Sequence, residues 1–170
     1  MYHFFVEPHQ IGAEEIRIEG ADVNHIRNVL RMKPGEEILI SSREGGDYFC
    51  RVEELEPEYV SAKILEEWEN KELPARIHLF QGLPKGDKME LIIQKAVELG
   101  AYRVVPVSMK RSVVKLDAKK ADAKRKRWNA VSESAAKQSK RSLIPEVAPL
   151  MTYKEAVKEA AGYDMVLLPY

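Results

Sequence analysis

The sequence predicts an α+β chain in two parts: a small β-barrel or sandwich over residues 1–72, then an α/β domain over residues 73–170. Three observations carry this. Up to Trp68 the apolar and aromatic residues fall in strand-length runs parted by Gly, Pro and acidic turns. From Ala75 onward, strand-like runs alternate with helix-length segments whose apolar residues recur at spacings of three and four, as in a parallel sheet with crossover helices. Between the two, in Glu69-Asn70-Lys71-Glu72-Leu73-Pro74, the charge changes sign. Residues 1–72 hold 8 Lys/Arg against 17 Asp/Glu, a net of −9, and residues 73–170 hold 19 against 10, a net of +9.

In chain order, Tyr2–Val6 and residues 15–18 read as strands. Asp22 is placed to cap a short helix reaching about Arg31, with Val23, Ile26, Val29 and Leu30 on one side. Strands follow at 37–41, 48–55 and Tyr59–Trp68, with Glu44-Gly45-Gly46-Asp47 as a turn. In the second part, a strand at 76–81 enters the loop Gly82-Leu83-Pro84-Lys85-Gly86. Asp87 and Glu90 are spaced as a capping box for a helix that Gly100 ends, its apolar face made of Met89, Ile92, Ile93, Ala96 and Val97. A strand at 104–107 precedes a long basic helix from about Ala118 to Lys140, with Trp128, Val131 and Ala135 as its buried edge. Thr152 and Glu155 form another capping box, Gly162 stops that helix, and 165–168 reads as a last strand.

Composition narrows the chemistry. Cys50 is the only cysteine, which rules out an internal disulfide and a multi-cysteine zinc site, and four scattered histidines make a structural metal centre unexpected. No apolar run approaches the roughly 20 residues that a membrane helix needs, and the N-terminus lacks a signal-peptide pattern. The expected location is the cytoplasm. Residues 103–141 alone carry 13 Lys/Arg and 3 Asp/Glu, a net of +10, which points to an anionic partner or to a domain of opposite charge.

Three basic constellations stand out. Gly82-Leu83-Pro84-Lys85-Gly86-Asp87-Lys88 lies where a strand gives way to a helix, so Lys85 and Lys88 flank backbone amides suited to phosphate. It has neither the spacing of a phosphate loop nor a dinucleotide fingerprint, and an ordinary strand–helix turn is the better reading. Met109-Lys110-Arg111-Ser112-Val113-Val114-Lys115 belongs on the same rim of the sheet, with Arg111 and Lys115 as phosphate contacts or as solubilising charges. Lys124-Arg125-Lys126-Arg127-Trp128 and Lys137-Gln138-Ser139-Lys140-Arg141 place cations near both ends of one helix. That helix can track a phosphate backbone; Trp128 could stack on a base, though at helical spacing with Val131 and Ala135 core is the better reading. Gln138 is a candidate reader of a base or cofactor. No Ser/His/Asp arrangement is evident, because His3, His9, His25 and His78 lie at or before the second part's first strand, and Cys50 reads as inert core. An enzyme of this sequence therefore relies on a bound cofactor for its reactive group and on positioning for its rate.

Taken together these stretches resemble the RsmE family of bacterial 16S ribosomal RNA uridine-N3 methyltransferases. The likeness rests on His25-Ile26-Arg27-Asn28-Val29-Leu30-Arg31-Met32, on Gly82 to Lys88 continuing through Gln94-Lys95-Ala96-Val97-Glu98-Leu99-Gly100, and on Arg111-Ser112-Val113-Val114-Lys115. It extends to Arg127-Trp128 and to Glu133-Ser134-Ala135-Ala136-Lys137-Gln138-Ser139-Lys140-Arg141 with Ile144-Pro145. The resemblance implies a PUA-like β-barrel RNA-binding domain over 1–72 and, over 73–170, the N-terminal part of a SPOUT-type α/β methyltransferase domain, Rossmann-like and knotted when complete. It implies methyl transfer from S-adenosylmethionine to N3 of a uridine in the small-subunit RNA, by a homodimer, without membrane or metal. The residues expected at RNA are Arg31, Lys85, Lys88, Arg111, Lys115, Gln138 and Arg141. The family's glycine-rich knot motifs are not found before Tyr170, so no residue is assigned to the cofactor pocket or to catalysis, and tight cofactor binding is not expected of these residues alone. A non-catalytic RNA-binding or ribosome-assembly module is the alternative; a nucleotide hydrolase is disfavoured by the missing phosphate-loop consensus.

Overall fold

The computed structural model describes residues 1–43, 45–70, 72–110 and 116–169. They form two compact units, Met1–Glu72 with Ala136–Ile144, and Leu73–Ala135 with Pro145–Tyr170.

The first unit is a five-stranded sheet of β1 (Tyr2–Val6), β2 (Glu15–Glu19), β3 (Glu37–Ser42), β4 (Asp47–Leu55) and β5 (Tyr59–Trp68), in the order β1-β3-β4-β5-β2. β1 runs parallel to β3 and the other pairs are antiparallel. Side-chain alternation sets the face. In β2, Ile16 and Ile18 are buried while Glu15, Arg17 and Glu19 are exposed, as a period of two requires. The sheet curls as a half-barrel around Phe4, Val6, Ile26, Ile38, Ile40 and Val52, and register shifts at Phe49/Cys50 and Val52/Glu54 tighten the bend.

The helix expected over 22–31 forms differently. Ala21–Asn24 is a single α turn (α1) that widens into a π turn at His25–Val29, where Leu30 N–H reaches His25 O at 2.9 Å. Gly20, at φ 75°, begins it; Asp22 caps nothing and instead meets Lys137. The wider turn carries Val29 off the face shared by Val23 and Ile26, leaving it 64% exposed.

The second unit is a parallel sheet. β6 (His78–Gly82) pairs with β7 (Arg103–Ser108), and β7 pairs on its other side with two short strands, β8 (Glu146–Val147) and β9 (Met151–Thr152). These last two act as one interrupted edge strand. α2 (Lys88–Glu98) buries Met89, Ile93 and Val97, and Gly100 ends it at φ 97°, where a Cβ would sit 2.6 Å from Leu73. The capping box expected from Asp87 and Glu90 does not form, because the Glu90 carboxylate is taken by Arg127, 2.8 Å away. α4 (Tyr153–Ala160) does begin with its box: Thr152 Oγ1 accepts from Glu155 N–H, and Glu155 accepts from Thr152 N–H.

α3 (Ala118–Ser139) buries Trp128, Ser132 and Ala135, with Val131 half-buried. Its polar stripe is stitched to the sheet edge. Asn129 Oδ1 accepts from Val147 N–H at 3.0 Å and its Nδ2 donates to Val147 O at 3.2 Å, replacing the neighbouring strand that β8 lacks there. Arg125 donates to Val147 O, and Ser132 to Pro145 O. The strand expected at 165–168 is not formed. Leu167 and Leu168 are about four-fifths exposed, and a strand exists only where a neighbour pairs its N–H and C=O groups. Among the described residues no helix is long and apolar enough to cross a membrane, and no cluster of His, Cys, Asp and Glu could hold a metal.

Candidate nucleic-acid interface

Parallel pairing brings the carboxyl ends of β6 and β7 together, with Gly82 opposite Val107, so the loops leaving both strands share one rim. Leu83 N–H donates to Val107 O at 2.9 Å, extending the ladder into the loop. Gly82 leaves room for Met109, whose Cγ would lie 3.2 Å from an added Cβ, and Gly86 turns the chain at φ 72°. Lys85 and Lys88 stand exposed beside this turn, with Met109 and Lys110 exposed across from them. Arg111, Ser112 and Lys115 lie outside the described residues. Beneath the rim is a shallow cleft floored by Leu83, Met89, Leu116 and Trp128 and edged by Lys124 and Glu90. Trp128 is 4% exposed and serves as floor, as its helical spacing indicates. Asp87 and Glu90 occupy the start of α2, and their charge opposes a lone phosphate held at the helix end. The exposed lysines suit a polyanion running past the rim.

The basic helix is less cationic than its sequence. Within the second unit Lys120 pairs with Asp117 at 3.3 Å, Lys126 with Asp122 at 3.2 Å, Arg125 with Glu146 at 3.1 Å and Arg127 with Glu90 at 2.8 Å. In the first unit Lys137 pairs with Asp22 at 3.0 Å. Arg141, expected at RNA, is 9% exposed and grips Glu72 with two nitrogens. Exposed Gln138 and Lys140 stand in the same short segment, and exposed Arg31 follows the π turn. Arg31 and Lys140 are the two non-glycine residues with positive φ among those described, at 53° and 55°.

The first unit also contains a buried constellation not evident in the sequence. His3 Nε2 lies 2.8 Å from Ser41 Oγ, and Ser41 donates in turn to Asp47. Its geometry is not that of a nucleophilic triad. Since the Ser41 proton goes to Asp47, His3 Nε2 must be the donor to Ser41 and cannot accept its proton. Burial, then the charges of Lys137 and Lys140, lower the His3 pKa to about 4. The signal was present in the register, because Ser41 and Asp47 are paired across β3 and β4 and His3 is two residues from Ser41's partner Phe5. Cys50 is fully buried and its thiol is pushed up to about 12 by desolvation, so it is no nucleophile.

Residues 71–170 match the family described as the RNA methyltransferase domain, and residues 18–65 the one described as the RNA methyltransferase PUA domain. Over the whole chain, 39% of residues are identical to ribosomal RNA small subunit methyltransferase E of Bacillus subtilis, of which the chain spans 68%. The chain belongs to the ribosomal RNA small subunit methyltransferase E family. The Synechocystis member of that family is 30% identical over 98% of the chain, which spans 54% of it. A Neisseria gonorrhoeae member, crystallised with S-adenosyl methionine, superposes on 94% of the chain with a TM-score of 0.80 at 34% identity, the chain covering 66% of it. A crystal structure of a hypothetical protein superposes on 99% of the chain with a TM-score of 0.92 at 39% identity.

Proposed function

We propose that the chain takes part in S-adenosylmethionine-dependent methylation of uridine N3 in the 16S RNA of the small ribosomal subunit. The observation that carries this is the 39% identity along the entire chain to a curated small-subunit RNA methyltransferase. S-adenosylmethionine supplies an electrophilic methyl group on sulfur; the described residues receive roles on the RNA side only, and none is assigned to the cofactor. In this reading residues 1–72 are the PUA-like RNA-binding domain, and 73–170 belong to the methyltransferase domain.

Lys85 and Lys88 hold backbone phosphates at the sheet rim, joined by Arg111 and Lys115 of the sequence after β7, and Arg31 holds one on the first unit. Gln138, exposed and both a neutral donor and acceptor, meets a base edge. Burial of Arg141 against Glu72 suits that cation to a different task. The work of such residues is orientation: the uracil nitrogen must be in line with the methyl group when its proton leaves. The chain works as a homodimer in the cytoplasm, which sedimentation of the purified protein tests.

The deciding experiment is genetic. Deletion of the gene should leave one uridine of the host's small-subunit RNA without an N3 methyl group, restored by the wild-type gene and poorly by a Lys85→Glu/Lys88→Glu version. Mass spectrometry showing unchanged RNA in the deletion strain would overturn the proposal.

A further inference from the structure

The end of α3 is fastened more firmly than a helix end requires. Lys137 Nζ lies 3.0 and 3.1 Å from the two carboxylate oxygens of Asp22. Lys140 then takes φ 55°, a left-handed closure ordinarily given to glycine, and Arg141 N–H returns to Ala136 O at 3.0 Å. The Arg141 guanidinium grips both oxygens of Glu72, Nε at 2.8 and 2.9 Å and Nη2 at 2.5 Å, and Ser142 N–H donates to Glu72 Oε1 at 2.8 Å. Both side chains of this pair are largely buried, at 9% and 15% exposure. A planar fork on a carboxylate fixes orientation as well as distance, and a non-glycine residue stays left-handed only where its surroundings hold it there. Gln138 and Lys140 remain exposed in the segment so held.

We propose that Glu72 and Arg141 are positioning residues: their ion pair sets the terminal turn of α3 so that Lys140 and Gln138 meet the RNA, and Arg141 itself touches no phosphate. This rests on the RNA-binding reading above. The test is a salt series of binding to a small-subunit RNA fragment. The proteins compared are wild type, Lys140→Ala, Glu72→Gln, Arg141→Lys and the Glu72→Gln/Lys140→Ala double variant. Lys140→Ala should lower the salt slope by about one. Glu72→Gln should weaken binding about tenfold with the same loss of slope, and Lys140→Ala should then add nothing. Arg141→Lys keeps the charge but loses the fork, and should behave like Glu72→Gln. Were Arg141 a phosphate contact restrained by Glu72, Glu72→Gln would instead tighten binding and steepen the slope, and the proposal would fail. It would also fail if Arg141→Lys bound like wild type, or if the two losses in the double variant were additive. Hydrogen exchange without RNA separates this idea from the larger one. The Arg141 and Ser142 amides should exchange at least about tenfold faster in Glu72→Gln; unchanged exchange overturns the positioning role, whereas wild-type protein without RNA affinity overturns the RNA reading.

Discussion

His3 illustrates how much a single side chain depends on the wiring around it. Its ring is 6% exposed, Nε2 donates to Ser41, and Nδ1 is left buried without a hydrogen-bond partner. In the unfolded chain the imidazole takes a proton near its ordinary 6.5; in the folded chain it resists until about 4. Between those values the unfolded state binds the extra proton, so this group's contribution to stability is lost as the pH falls. The slope is about 1.4 kcal/mol per pH unit. His3→Gln, which keeps a donor for Ser41, should remove that slope. Denaturant titrations of the two proteins should therefore converge on acidification from pH 6.5 toward 4, and parallel curves would show that His3 is not the responsible group.

At the scale of elements, the readable features were those whose cause is local. β2 announces itself by alternation and α2 by apolar spacing, and the Thr152–Glu155 box is spelled out within four residues. The Asp87–Glu90 box has the same spelling and fails, because Arg127, 37 residues away, competes for Glu90. β8 and β9 have two residues each, too short for any periodicity, and exist because β7 pairs with them. The helix–edge seam at Asn129 was hidden for the same reason. Asn129→Ala should leave Val147 N–H unpaired and Val147 O with Arg125 as its donor, at a cost of about 2 kcal/mol in denaturant unfolding. Asn129→Asp should cost less, because it still accepts from Val147 N–H. Lys85 and Lys88 were legible as a candidate site because a strand-to-helix turn is itself a local signal. The burial of Arg141 was not, since its partner Glu72 is 69 residues earlier.

For the molecule as a whole, charge counted along the sequence differs from charge counted in the fold. Residues 1–72 sum to −9, yet the first unit also includes Ala136–Ile144 with Lys137, Lys140 and Arg141 and no acid, which brings it to −6. The charge of α3 is likewise uneven, because much of it is neutralised by Asp122 within the helix and by Asp117, Glu146, Glu90 and Asp22 outside it. Reversing Lys85 and Lys88 together should therefore reduce RNA affinity and lower the salt slope by about two, one for each phosphate contact. Reversing Lys126, which already faces Asp122 at 3.2 Å, should change the slope by less than one. Equal effects from both changes would mean that the rim has no special part in binding.

The first unit is assembled from two stretches separated by sixty-three residues, Leu73–Ala135. A ribosome adding 5–20 residues per second needs roughly 3–14 s to proceed from Glu72 to Arg141. During that interval the nascent half-barrel has its sheet but not the cations for Asp22 and Glu72. Its last fastening is thus supplied late in synthesis, and a fragment cut at Glu72 would carry both carboxylates with no counter-charge from α3.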